Sequence, residues 1–302
     1  MTAVDTSGVD VRTVEADDGV ALHVEVTGRG TPVLFLHEFS GNHRSWEQQV
    51  RVLGARYRCI TFSARGFLPS DVPPDVGAYS QERAVADAVA VLDATGADKA
   101  HVVGLSMGGF TALNLALDHP DRVRAAVVGS CGYGAEVDKA EFQAEMEELA
   151  SLFREKGSAH MAELSAASPY RLALKHRDPR AFAEWVQALG EHDPVGAANT
   201  IIGVQGNRPT LRELAARMSS LRVPVLFVTG DEDDPCLEAN LLAKRSSPLA
   251  GLAVLPRTAH TLNLEAPMAF NNLLLDYFAQ VDASRWEPRD PRSIRESGGW
   301  VR

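Results

Sequence analysis

A chain of 302 residues with 45% hydrophobic and 23% charged side chains has the balance of a folded globular protein, long enough to bury the core of one large α/β domain. Its net charge of -10, with no clustering of Lys and Arg, excludes a nucleic-acid surface. The polar, acidic start from Met1 to Asp10 and the lack of a long apolar run argue against a secretory signal or a membrane span.

Cys59, Cys131 and Cys236 are scattered and odd in number, so disulfides are not expected and the cytoplasm is the expected compartment. Apolar residues alternate from Val11 to Val26 around Asp17-Asp18-Gly19, which predicts an antiparallel hairpin. Pro32 to Leu36 is a continuous apolar run, as expected of a strand covered on both faces. His37 to Asn42 reads as a loop, and Trp46, Val50, Leu53 and Tyr57 then recur at helical spacing. A second buried strand runs from Tyr57 to Phe62. After a proline-rich loop, Ser80 is placed to cap a helix carrying Val85, Ala88, Val89 and Leu92. Ala100 to Leu105 and Val123 to Gly129 are further strands on either side of a helix that stops at His119-Pro120.

This alternation predicts parallel strands joined by right-handed crossovers. The rhythm breaks between Gly132 and Leu221, where helical patches follow one another at Glu141 to Phe153, His160 to Ser165, Arg180 to Leu189 and Leu211 to Met218. The sheet resumes at Val223 to Val228 and again at Gly251 to Leu255. A last helix carries Phe270, Leu274 and Phe278 at spacing four. The expected fold is therefore α/β, with a mostly parallel central sheet, an N-terminal antiparallel hairpin, helices on both faces and a helical lid after the sixth strand. The expected division is a core of residues 1–131 and 222–282, a lid at 132–221, and a charged tail at 283–302 that cannot build a core.

Val102-Val103-Gly104-Leu105-Ser106-Met107-Gly108-Gly109-Phe110 carries the chemistry. A strand that turns directly into a helix passes through a strained corner, which small residues two before and two after the apex make possible. Ser106 is that apex. A serine hydroxyl is a weak nucleophile unless a base lies within hydrogen-bond reach and a third group orients the base. Parallel sheets bring the carboxyl ends of their strands to one edge. Asp231, Asp233 and Asp234 follow one strand end and His260 another, giving the order Ser, Asp, His that such a site uses.

These stretches resemble the α/β hydrolase superfamily from about Val11 to Val281, in its serine-nucleophile branch of esterases and enol-lactonases. Leu34-Phe35-Leu36-His37 with Phe39 is similar to its oxyanion loop, Ala64-Arg65-Gly66 with Ser70-Asp71 to its following strand-end motif, Gly104 to Gly109 to its nucleophile elbow, Gly230 to Asp233 to its acid loop, and His260 with Leu264 to Pro267 to its histidine motif. The resemblance implies Ser106 as nucleophile, His260 as general base and Asp233 as the acid, with Asp231 and Asp234 as close runners-up. It implies that the amides of Met107 and Phe39 form the oxyanion hole. Glu38 departs from the pattern, standing where the family has glycine. It is expected to point to solvent or to pin the loop through a hydrogen bond, the sharper alternative being that it reaches the site and biases it toward certain substrates.

Residues expected to line the site are His37, Glu38, Cys131, Tyr133 and Trp185, while Tyr133, Phe153, Met161, Tyr170 and Trp185 are expected to pack the lid. Arg65 is expected to hold loops together and His101 to be packed or hydrogen-bonded. His37-Glu38 begins something like a His-Glu-x-x-His helix, but His43 misses the one-turn spacing, so no metal is expected there. No cofactor is expected. The implied reaction is hydrolysis of a carboxylic ester or lactone through an acyl-enzyme, on a small-molecule acyl substrate, without a nucleic-acid or membrane partner; a homodimer is left open. Carbon-carbon bond hydrolysis, thioester hydrolysis and acyl transfer use the same residues. From another class, a non-catalytic small-molecule-binding protein shares the fold.

Overall fold

The computed structural model describes residues 8–132 and 138–293. Its single sheet has eight strands: β1 (Val9–Glu15), β2 (Ala21–Thr27), β3 (Thr31–Leu36), β4 (Tyr57–Phe62), β5 (Ala100–Leu105), β6 (Val123–Gly129), β7 (Val225–Gly230) and β8 (Ala250–Leu255). Their order across the sheet is β1-β2-β4-β3-β5-β6-β7-β8. The first pairings, β1 with β2 and β2 with β4, are antiparallel and the rest are parallel. The expected hairpin and mostly parallel sheet are both present.

The central strands are apolar throughout because both faces are covered. Leu34, Leu36, Val102, Ala126, Val128, Val225 and Phe227 join the core on one face. Their neighbours Val33, Phe35, Val103, Leu105, Val127, Leu226 and Val228 join the core on the other. Helices α1 (Glu47–Leu53), α2 (Gln81–Ala94) and α3 (Met107–Asp118) connect the early strands. Ser80 caps α2 by accepting a hydrogen bond from the Arg83 amide at 3.0 Å, as its position predicts.

Between β6 and β7 the described residues form only helices: α4 (Lys139–Ala166), α5 (Leu172–Arg177), α6 (Pro179–Gly190), α7 (Pro194–Thr200) and α8 (Leu211–Met218), with short turns at Pro169–Arg171 and Ile201–Gln205. Gly157, at φ 78° and ψ 162°, breaks α4 into two helical pieces. The sequence periodicity finds α6 and α8 and both pieces of α4 but not α7, which Asp193-Pro194 announces: Asp193 accepts from the Val195 and Gly196 amides, with proline at the first helical position. Phe142, Met146, Phe153, Met161, Trp185 and Ile201 give this segment a small core of its own. Tyr170 does not join it and is 47% exposed.

Two boundaries differ from expectation. Leu211, Leu214 and Met218 of α8 pack into the core beneath the sheet, so this helix sits with the sheet and not with the preceding helices. The chain after Asp282 is also partly anchored, because the Trp286 indole donates to the Leu249 carbonyl at 2.9 Å and packs edge-on against Tyr277. Helices α9 (Asp234–Arg245), α10 (Leu262–Glu265) and α11 (Pro267–Asp282) complete the fold. Among the described residues no helix is long and apolar enough to cross a membrane.

Candidate active site

Ser106 sits between β5 and α3 at φ 53° and ψ -113°, a backbone conformation that a residue with a side chain adopts only when its surroundings enforce it. The enforcement is visible. The Ser106 amide donates to the Gly129 carbonyl at 2.7 Å. A Cβ on Gly104 would lie 2.0 Å from the Gly108 carbonyl oxygen, and one on Gly108 would lie 2.1 Å from that of Leu36. Only glycine at these two positions lets β5, α3 and β3 approach closely enough to make the corner. Met107 is the first residue of α3, so its amide has no acceptor within the helix and points the positive end of the helix dipole toward the corner.

His260 and the three aspartates fall in the loops after β8 and β7. His260 Nδ1 lies 3.0 Å from Asp233 Oδ2, with the carboxylate 2% and the imidazole 16% exposed. Asp231 and Asp234 are exposed, and Asp231 is occupied with the Thr258 amide at 3.1 Å. The geometry thus pairs His260 with Asp233 out of the three. Burial disfavours the imidazolium, but the charge and hydrogen bond of Asp233 outweigh it and hold His260 above the ordinary histidine value. Burial likewise opposes ionisation of Asp233, and the His260 charge and hydrogen bond overcome it, leaving the carboxyl below its ordinary value.

Sequence reasoning named the Leu264 to Pro267 stretch but not the work of Glu265. Its buried carboxylate accepts from the Ala259 amide at 2.6 Å and from the Thr261 amide and hydroxyl at 2.9 and 2.8 Å. It therefore grips the backbone on both sides of His260. Its signal in the sequence is its place in that stretch, four residues after Thr261.

The residues expected to line the site divide. Tyr133 lies outside the described residues. Cys131, expected as a small lining or core residue, is core: it is fully buried beneath the corner, its thiol donating to the Ser106 carbonyl at 3.2 Å, and burial raises its pKa so that the thiol stays protonated. His37 is also committed elsewhere, since Nδ1 donates to the Glu38 carbonyl at 2.7 Å and Nε2 accepts from the Ala64 amide at 3.0 Å. Burial lowers it to about 4, so it is neutral. Glu38 does not point to solvent, being 4% exposed. Oε1 accepts from the Trp185 indole at 3.2 Å, and Oε2 pairs with Arg171 at 3.4 Å. The Arg171 guanidinium lies over the Trp185 ring, 4.4 Å from its centroid. Arg171 is the residue the sequence did not single out. Phe39 packs edge-on between Phe67 and Phe153, at 5.9 and 5.6 Å.

Two further expectations hold. Arg65 pairs with Asp87 and Asp18 and donates to the Ala78 carbonyl, holding loops together. His101 stacks on Phe278 at 4.2 Å and reaches Asp282 at 3.1 Å.

A serine at a strained strand-to-helix corner, with a histidine-aspartate pair delivered by two neighbouring strand ends, defines a hydrolase of the α/β type. Residues 31–267 match the family model described as alpha/beta hydrolase fold, and the chain belongs to that family. Among curated proteins it is similar to a 2-hydroxy-6-oxo-6-phenylhexa-2,4-dienoate hydrolase of Burkholderia cepacia, 29% identical over 85% of this chain and 91% of the relative. Among solved structures it is similar to Est816, described as an N-acyl homoserine lactone degrading enzyme, at 30% identity and a TM-score of 0.70 over 88% of this chain and 100% of that one. An esterase from Thermogutta terrifontis shares the fold at a TM-score of 0.80 and 24% identity, over 90% and 99% of the two chains. The chain is an enzyme of this hydrolase family.

Proposed function

We propose that the enzyme hydrolyses a carboxylic ester or lactone through an acyl group carried on Ser106. The observation that supports this most is the pairing of His260 with Asp233 at 3.0 Å, in a fold that also holds Ser106 at φ 53° at the end of β5. Ser106 Oγ attacks the carbonyl carbon as His260 takes the hydroxyl proton on Nε2, while Asp233 accepts from Nδ1-H and fixes the tautomer. The amides of Met107 and Phe39 stabilise the negative oxygen of the tetrahedral intermediate. Collapse breaks the bond to the leaving alkoxide, which takes the proton from His260. Water then attacks the acyl-enzyme with His260 again as base, and the acid leaves. Residues 138–205 act as the lid over this site, with the core resuming at α8.

The similarity to the Burkholderia cepacia hydrolase favours a second reading, cleavage of a carbon-carbon bond by the same residues. A panel of short activated esters, lactones and diketone acids, run on wild type and Ser106→Ala, separates the two. Turnover of esters or lactones, with labelling of Ser106 by a phosphonate probe, is the expected result. Turnover confined to diketone acids supports the second reading. A protein that neither turns over any of the panel nor takes the label is not acting as a serine hydrolase, and non-catalytic binding replaces both readings.

A further inference from the structure

A second cluster of functional side chains lies away from Ser106, where β2 meets the turn before α1. His23 and Glu25 are two apart on β2 and so project from the same face, and His43 begins the turn at His43–Trp46. Glu25 Oε1 lies 3.2 Å from His23 Nε2 and 3.3 Å from His43 Nε2. One ligand atom from each of the three residues lies within 4.8 Å of the others.

His43 Nδ1 is 2.9 Å from Ser63 Oγ. Without an ion, Nε2-H donates to Glu25 and the Ser63 hydroxyl donates to Nδ1; with the ring proton moved to Nδ1, facing Ser63 Oγ, the Nε2 lone pair faces the same point as the Glu25 oxygen, as a ligand would. A metal ion fits the spacing: with bonds of about 2.0–2.1 Å to nitrogen and oxygen, neighbouring ligands on a tetrahedron are about 3.3 Å apart.

The cluster opens on a cavity of about 560 Å³ between the core and α6, lined also by Phe67, Glu191 and His192. His192 is 7% exposed, and neither of its ring nitrogens has a hydrogen-bond partner among the described residues. A buried imidazole with nothing to bind, on the wall of a cavity that already holds three metal-ligating groups, is a second and separate sign of a missing ligand.

We propose that His23, Glu25 and His43 form a divalent transition-metal site, suited to Zn²⁺ by its two imidazoles and one carboxylate, with a fourth position open to the cavity. The ion ties β2 to the loop that follows Phe39. It is independent of the chemistry at Ser106.

The test is a Zn²⁺ titration of the chelator-stripped full chain against a chromophoric competitor, with Glu25→Gln, His23→Asn and Asp233→Asn alongside. The last variant is needed because Asp233, Cys236 and His260 also bring ligand atoms within 4.8 Å of one another. One Zn²⁺ per wild-type chain is expected, with affinity at least about 100-fold weaker in Glu25→Gln and in His23→Asn, since loss of a ligand exceeds loss of its supporting shell. Asp233→Asn should bind as wild type does. Zn²⁺ should also raise the melting temperature of wild type and not that of His23→Asn, whose partly exposed side chain can change without unfolding the chain. No uptake at micromolar Zn²⁺, a smaller loss in both β2 variants, or loss in Asp233→Asn in their place overturns the proposal.

Discussion

Replacing Asp233 by Asn keeps the shape of the side chain and removes one charge, 3.0 Å from His260 Nδ1. In the proposed mechanism His260 becomes an imidazolium as Ser106 attacks, so the loss falls on the transition state. With charge centres about 4 Å apart and an effective dielectric of about 20, the interaction is worth about 4 kcal/mol, or roughly a 10³-fold fall in kcat. The sign of the pH effect follows from the same contact. Burial lowers the pKa of His260 while Asp233 is the larger of the two charges that raise it; without Asp233 the lowering gains the upper hand. The acidic limb of kcat/KM, where His260 must be unprotonated, should move to lower pH. The assay is a pH profile of hydrolysis of a short activated ester by Asp233→Asn, with Asp231→Asn and Asp234→Asn as companions. Those two are exposed and should stay within about threefold of wild type, in line with the small effects of surface substitutions. If Asp233→Asn keeps a tenth or more of wild-type kcat, or either companion loses more, the reasoning from geometry to role fails.

Gly108→Ala would place a Cβ 2.1 Å from the Leu36 carbonyl oxygen and 2.7 Å from that of His37; both are backbone and cannot swing aside, so a destabilisation of about 1–3 kcal/mol or more is expected by denaturant unfolding. The charge of Glu38 raises and that of Arg171 lowers the pKa of His260, so Glu38→Gln should shift the acidic limb of kcat/KM down and Arg171→Gln should shift it up; shifts in one direction for both would contradict the arrangement. Asp87→Asn leaves Arg65, 4% exposed, without its bidentate partner, and should cost about 3–5 kcal/mol. An unfolding free energy within about 1 kcal/mol of wild type would show the pair to be dispensable.

The sheet was legible because two-sided burial writes itself as uninterrupted apolar runs, and the corner at Ser106 because close backbone approach demands glycine at Gly104 and Gly108. Which aspartate meets His260 is legible only through the resemblance, which implies Asp233; the residue pattern itself leaves Asp231, Asp233 and Asp234 open, and the 3.0 Å contact with His260 falls to Asp233. The segment between β6 and β7 shows its helices by periodicity but not their docking, which for α8 is set by Leu211, Leu214 and Met218 beneath the sheet. The anchoring of Trp286 is equally hidden, because nothing in a charged tail marks an aromatic side chain as packed.

Glu38 shows most clearly how distance in sequence conceals function. Glycine in this position would allow positive φ, but the described non-glycine residues with positive φ are Ser106, Ser130, Arg257 and Ser284, so Glu38 takes its place without that strain. Its carboxylate is held by Arg171 and Trp185, 133 and 147 residues away, which no local pattern encodes. One residue on, Phe39 is packed between Phe67 of the core and Phe153 of the helical segment. In the proposed mechanism Phe39 supplies one of the two oxyanion amides. The loop carrying that amide is joined to the helical segment by a buried ion pair, an indole hydrogen bond and one aromatic contact, to Phe153. A glycine at position 38 would leave only the aromatic contact. In the proposed mechanism, where these helices form the lid, the glutamate ties the position of the amide to the helices above it, and acyl-group binding and oxyanion stabilisation are coupled through Glu38.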